Sequence, residues 1–194
     1  MAKFLSKKQN RRGFTLVELL VAVLMFSLIV VAISGLFISG IRSQKYSLLS
    51  QRLLDQTSYA MEFMSRALRM ARKELIAGQC LSTRGTNYEV SPDGLSLKFI
   101  NHLEGDDCQR FFLDNSQLKF QRNITGTPET LELTSSQFEV TDLKFIVIGG
   151  DQYDDLQPRV NILMEIRWKS LRPEEARKVR IQSSVSQRNL DIVY

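Results

Sequence analysis

Glu18 is the only charged residue in the stretch Phe14–Ile41, which reads FTLVELLVAVLMFSLIVVAISGLFISGI. A carboxylate in such a setting is costly, about 2.5–3.5 kcal/mol for Asp at mid-bilayer. An ionisable group placed there implies a charged partner and a task. The other residues with chemical potential are few. Cys80 and Cys108 are the two cysteines, and His102 is the one histidine. Asp151, Asp154 and Asp155 follow Gly149-Gly150, but three carboxylates do not define a calcium site, which takes six to eight oxygen ligands. His102 lies in the polar run Asn101–Asp107 with no Ser/His/Asp or metal-ligand spacing around it. The residues give no catalytic constellation, no cofactor site and no metal site, so the chain is read as not an enzyme. Arg66, Arg69, Arg72 and Lys73 alternate with apolar residues and read as a solvated helix face.

The element that carries Glu18 is set by composition. About 20 apolar residues cross a bilayer as a helix, and Phe14–Ile41 exceeds that length. Lys3, Lys7, Lys8, Arg11 and Arg12 precede it without any acid, and they account for the whole net charge of +5. This cluster keeps the N-terminus cytoplasmic and sends the rest of the chain outside, against the weaker signal of Arg42 and Lys45. The remainder is formally neutral, which argues against nucleic acid as a partner. The two cysteines then fall in an oxidising compartment and predict a Cys80–Cys108 disulfide, worth about 2–4 kcal/mol.

The junction Arg11-Arg12-Gly13-Phe14-Thr15-Leu16-Val17-Glu18, followed by its apolar run, resembles the class III signal of type IV prepilins and pseudopilins. The resemblance covers about residues 7–42. It implies cleavage after Gly13 by the membrane-embedded prepilin peptidase, methylation of the new amino terminus at Phe14, and an assembly role for Glu18. It also implies a pilin-like α+β fold, a long N-terminal helix packed on a mostly antiparallel sheet. Cleavage would create an ammonium four residues before Glu18. At about 4 Å and an effective dielectric near 20, their attraction is roughly 4 kcal/mol, enough to offset the burial cost. The amine of a neighbouring subunit would serve equally and would fix the axial stagger between subunits. A second resemblance lies at Arg180–Leu190, which looks like the closing strand of J-type pseudopilins and W-type minor pilins. Many major pilins carry a proline near the place of Gly35, so melting of this helix on assembly is left open.

Four segments follow. Residues 1–13 are a basic leader to be removed, and 14–41 are the transmembrane and filament-core helix. Residues 42–78 continue it as an amphipathic helix, with Leu49, Leu53, Ala60, Met64, Ala67, Ala71 and Leu75 on one face and Gln56 in the polar slot. Gly78 is the expected cap. Residues 79–194 form an extracytoplasmic β-rich domain. Its strand signals are Leu95–Phe99 after the turn Ser91-Pro92-Asp93-Gly94, a hairpin about Asn115-Ser116, Phe138–Ile148, Val160–Trp168 and Val179–Val185. The function implied is a minor pilin-like subunit of a type IV pilus, a type II secretion pseudopilus or a competence filament. Its partners would be the peptidase, other pilin-like subunits and, before assembly, membrane lipid. The competing class is a membrane-anchored binding protein or enzyme with an uncleaved signal anchor. A purified protein that begins at Phe14 rather than Met1 separates the two.

Overall fold

A computed structural model describes residues 13–150, 156–169 and 177–188. It divides into two units, residues 1–47 and 48–194. One helix, α1 (Leu16–Arg69, 54 residues), contributes to both. In the first unit every described side chain is exposed. In the second, Leu53, Thr57, Ala60, Met61, Met64 and Leu68 are buried. Of these, Leu53, Ala60 and Met64 belong to the stripe that the sequence predicts, whereas its members Leu49 and Ala67 are half-buried; Gln56 fills the polar slot by donating Nε2 to the Leu133 carbonyl at 2.9 Å.

The helix ends at Arg69, not at Gly78 as the periodicity suggests. Tertiary partners take the chain over. Ala71–Arg72 becomes a short strand, β1, paired with Asn101 and Ile100. The Met70 carbonyl accepts from the His102 amide at 3.0 Å, and the Arg69 carbonyl accepts from the Arg188 amide at 2.7 Å. The Leu68 carbonyl accepts the buried Tyr88 hydroxyl at 2.7 Å. The last-turn carbonyls therefore find donors in the β region and need no further helix. Ala71 is buried under either geometry, so the apolar pattern cannot separate them. Leu75, expected on the apolar face, is 60% exposed, whereas its neighbour Glu74 is buried.

The strands are antiparallel but form two sheets where the sequence suggests one. The first sheet contains β1, β2 (Tyr88–Val90), β3 (Ser96–Asn101), β4 (Asp107–Asp114), β5 (Gln117–Arg122) and β6 (Glu129–Glu132). Both β1 and β2 pair with β3, and the order continues β3-β4-β5-β6. The second contains β7 (Phe138–Ile148), β8 (Arg159–Trp168) and β9 (Lys178–Ser186) in that order. The β4–β5 hairpin turns at Asn115 (φ 50°) and Ser116 (φ 60°), the paired left-handed residues of a two-residue turn that matches strand twist. Two main-chain bonds join the sheets at turns rather than along a ladder: Phe145 N–H to the Gly94 carbonyl (2.9 Å) and Val140 N–H to the Ser116 carbonyl (2.8 Å). Gly94 sits at φ 78°, which a side chain would strain, and an added Cβ would meet Lys144 Cγ at 3.3 Å.

The core of the second unit lies among the helix stripe and the two sheets. Phe99, Phe111 and Phe120 come from the first sheet, and Leu143, Phe145, Val160, Ile162, Met164 and Ile166 from the second. Phe63 of α1 meets Phe120 edge-on at 5.1 Å between ring centroids, and Phe99 stacks on Phe111 at 5.6 Å. A bulge at Thr141 resets the alternation of β7, so that Phe138 and Val140 before it and Leu143 and Phe145 after it all point inward. Trp168 is half-buried, edge-on to Phe138 at 5.2 Å.

Two predictions follow from this packing. Phe111→Ala empties a fully buried aromatic site and should lower unfolding free energy by about 3–5 kcal/mol in denaturant titrations of the detergent-solubilised protein. Burial pushes the Tyr88 hydroxyl far above its ordinary value of 10.0. The folded state then holds a proton that the unfolded chain releases, so this contribution is complete below pH 10 and falls as pH rises beyond it. Wild type should lose stability above about pH 10 more steeply than Tyr88→Phe, and equal slopes would refute the assignment.

Candidate functional site

The first unit is built around the start of α1. Gly13, Phe14 and Thr15 precede the helix and are exposed, Phe14 by 80%. Among the described residues no atom lies within 4 Å of a Cβ built on Gly13, so none of them demands a glycine there. Thr15 stops the helix. Its hydroxyl accepts from the Glu18 amide at 3.3 Å, and its carbonyl accepts from the Leu19 amide at 3.2 Å. This is N-terminal capping, and the Thr-x-x-Glu spacing is the sequence signal that reveals it. Glu18 thus lies in the first turn, where the helix dipole favours a carboxylate. Its carboxylate has no hydrogen-bond or ion-pair partner among the described residues.

Beyond Glu18 the helix is apolar and exposed on every side. Leu19, Leu20, Val21, Val23, Leu24, Phe26, Leu28, Ile29, Val31, Ile33, Leu36 and Phe37 are each more than half exposed. Ser27 and Ser34 return their hydroxyls to the Val23 and Val30 carbonyls, both at 2.8 Å, and so present no unsatisfied donor. The segment is long and apolar enough to cross a membrane. An all-round apolar helix needs lipid or neighbouring helices to cover it, since water would meet an apolar surface far larger than soluble monomers show.

The other residues singled out by sequence fall elsewhere. Cys80 and Cys108 are joined as a disulfide, with Cα atoms 5.5 Å apart. It ties the loop after β1 to β4. His102 opens an exposed 3-10 turn, His102–Glu104, with Nδ1 3.0 Å from Asp106 Oδ1. Arg66 pairs with Glu62, and Arg72 Nη1 lies 2.8 Å from Asp106 Oδ2. The loop acids Asp151, Asp154 and Asp155 lie outside the described residues, as do the leader basics and the chain beyond Arg188. Among the described residues no group of three or more His, Cys, Asp or Glu is placed to hold a metal ion. Sequence reasoning has no ground to single out Glu74, but the structure does. It is 2% exposed, and its carboxylate accepts from the amides of Ile76, Cys80 and Leu81. Nothing in the pattern distinguishes it from a solvated helical glutamate.

The family model for the prokaryotic N-terminal methylation motif matches residues 8–34. No curated relative and no solved structure matches the chain. The matched span contains Gly13, Phe14, the Thr15 cap, Glu18 and the first half of the exposed apolar run. Together the motif and the helix suggest membrane anchoring. The chain carries the prokaryotic N-terminal methylation motif, the class III signal of type IV pilins, at the head of a long apolar helix, and in this it is type IV pilin-like.

Proposed function

We propose that this chain is a minor pilin-like structural subunit of a type IV pilus, a type II secretion pseudopilus or a competence filament. In this account prepilin peptidase cuts after Gly13 and the new terminus at Phe14 is methylated. Residues 14–41 hold the subunit in the cytoplasmic membrane, with residues 79–194 on the far side, until assembly. The single observation that carries this is the matched motif heading a helix whose apolar side chains nothing in its own unit covers. Bilayer lipid covers them before assembly and the helices of other pilin-like subunits cover them afterwards. An enzyme with an uncleaved anchor would need the apolar run alone, and would need neither the Gly-Phe junction nor Glu18 at its spacing.

Glu18 has a particular role in this account. Apolar helices packed side by side have weak axial register, because one Leu or Val ridge resembles the next. A carboxylate that meets the amine of an adjacent subunit in a low-dielectric core sets that register, since leaving either charge unpaired is costly.

Processing tests the account. Space around Gly13 is open, so a larger residue there leaves the chain's own structure intact and acts on the peptidase's approach. Gly13→Val in cells that make prepilin peptidase should leave most of the protein as the full-length precursor. Intact mass should show wild type shortened to begin at Phe14, with one added methyl group. Processing of Gly13→Val at the wild-type level would refute cleavage at this bond.

A further inference from the structure

Glu74 is a buried carboxylate far in sequence from the motif, and the filament account does not use it. Oε2 accepts from the amides of Cys80 and Leu81, both at 2.9 Å, and Oε1 from the amide of Ile76 at 3.4 Å. Its own backbone is held as well. The Glu74 amide donates to the Thr86 carbonyl at 2.9 Å, and its carbonyl accepts from the Gly85 amide at 2.8 Å. The loop that follows, from Leu75 to Gly85, has no ladder of its own. It turns with a bond from the Gly78 amide to the Leu81 carbonyl, 2.8 Å, and carries Leu75 and Ile76 outward, each 60% exposed.

The two ends of the disulfide are held by different means. Cys108 sits in β4, opposite Ile100 of β3, and its carbonyl accepts from the Ile124 amide at 3.2 Å. The sheet fixes that thiol whether or not the bridge exists. Cys80 lies in the loop, and the bond nearest its backbone is the one its amide makes to Glu74. We propose that Glu74 is the positioning residue of the Cys80–Cys108 bridge. Its carboxylate gathers the loop so that Cys80 is delivered to Cys108, and the ordering entropy of the loop is already spent when the sulfurs meet. The device lies wholly within the second unit and works whether or not the leader is removed.

The bridge forms by exchange with a small-molecule disulfide. The Cys80 and Cys108 thiols lose two protons and two electrons, and oxidised glutathione is reduced to two thiols. The equilibrium constant of this exchange, read on full-length protein in detergent with glutathione buffers and alkylation mass analysis, measures the positioning. Glu74→Leu keeps the volume and removes the acceptor, and should lower the constant by about tenfold or more, the worth of hydrogen bonds to a charged group. Glu74→Gln can turn its oxygen toward Cys80 and Leu81, and should stay within about threefold of wild type. Val160→Ala, a core truncation in β8 of the other sheet, should weaken the fold but leave the constant unchanged. An unchanged constant in Glu74→Leu, or an equal loss in Glu74→Gln, would overturn the proposal. Should Glu74→Leu not fold, amide exchange on the wild type decides. The Cys80 and Leu81 amides should exchange far more slowly than that of the exposed Ala77, and equal rates would overturn it.

Discussion

A helix that is apolar around its whole circumference has no solution within one short chain. α1 between Leu16 and Ile41 is such a helix, and no described residue of its unit covers it. Burying one Leu, Val, Ile or Phe side chain is worth about 1.5–3 kcal/mol, so some twenty exposed apolar residues are a large free energy left unrealised in water. The constraint is met from outside the chain, by lipid or by other helices. Under the proposed function it is met by each in turn. The free energy needed to leave the bilayer then comes from helices that cover the same surface. What apolar contact does not supply is a unique alignment, and under the proposed function the lone carboxylate in the first turn supplies one.

The second unit meets the opposite problem by ordinary means. From Leu53 onward the helix carries one stripe, and two sheets close over it and each other. Its end is fixed by partners rather than by a terminating residue, because the Leu68, Arg69 and Met70 carbonyls all accept from the β region. The covalent tie at Cys80–Cys108 then holds the loop leaving the helix to β4.

Legibility in the sequence follows how local each signal is. The strands β3, β4, β5, β7, β8 and β9 show alternation bounded by turn residues, and the hairpin at Asn115-Ser116 lies where those residues put it. The end of the helix is not legible, because Ala71 is buried in both geometries and the donors that stop the helix come from residues 88, 102 and 188. Strand β6 has all four residues exposed and so shows no amphipathic alternation. The split into two sheets depends on two main-chain bonds at turns, and the Thr141 bulge hides in a run that reads as one continuous strand. In the first unit Gly13, Phe14 and Glu18 are legible because a charge in an apolar run is conspicuous and the junction before it is specific. The Thr15 cap is equally local, and its Thr-x-x-Glu spacing was available to be read. Glu74 became visible only when its three amide donors were placed around it.

Under the proposed function the Glu18 carboxylate, by its charge, places this subunit among its neighbours. Glu18→Gln keeps the side chain's shape and removes the charge that an ammonium would meet. The direct measurement is quantitative blotting of sheared filaments against membranes from cells making either form. Membrane levels should match wild type, since a neutral side chain inserts at least as readily. The filament-to-membrane ratio should fall by about tenfold or more, the effect of leaving a buried amine unpaired. Incorporation of Glu18→Gln at the wild-type ratio would contradict the account.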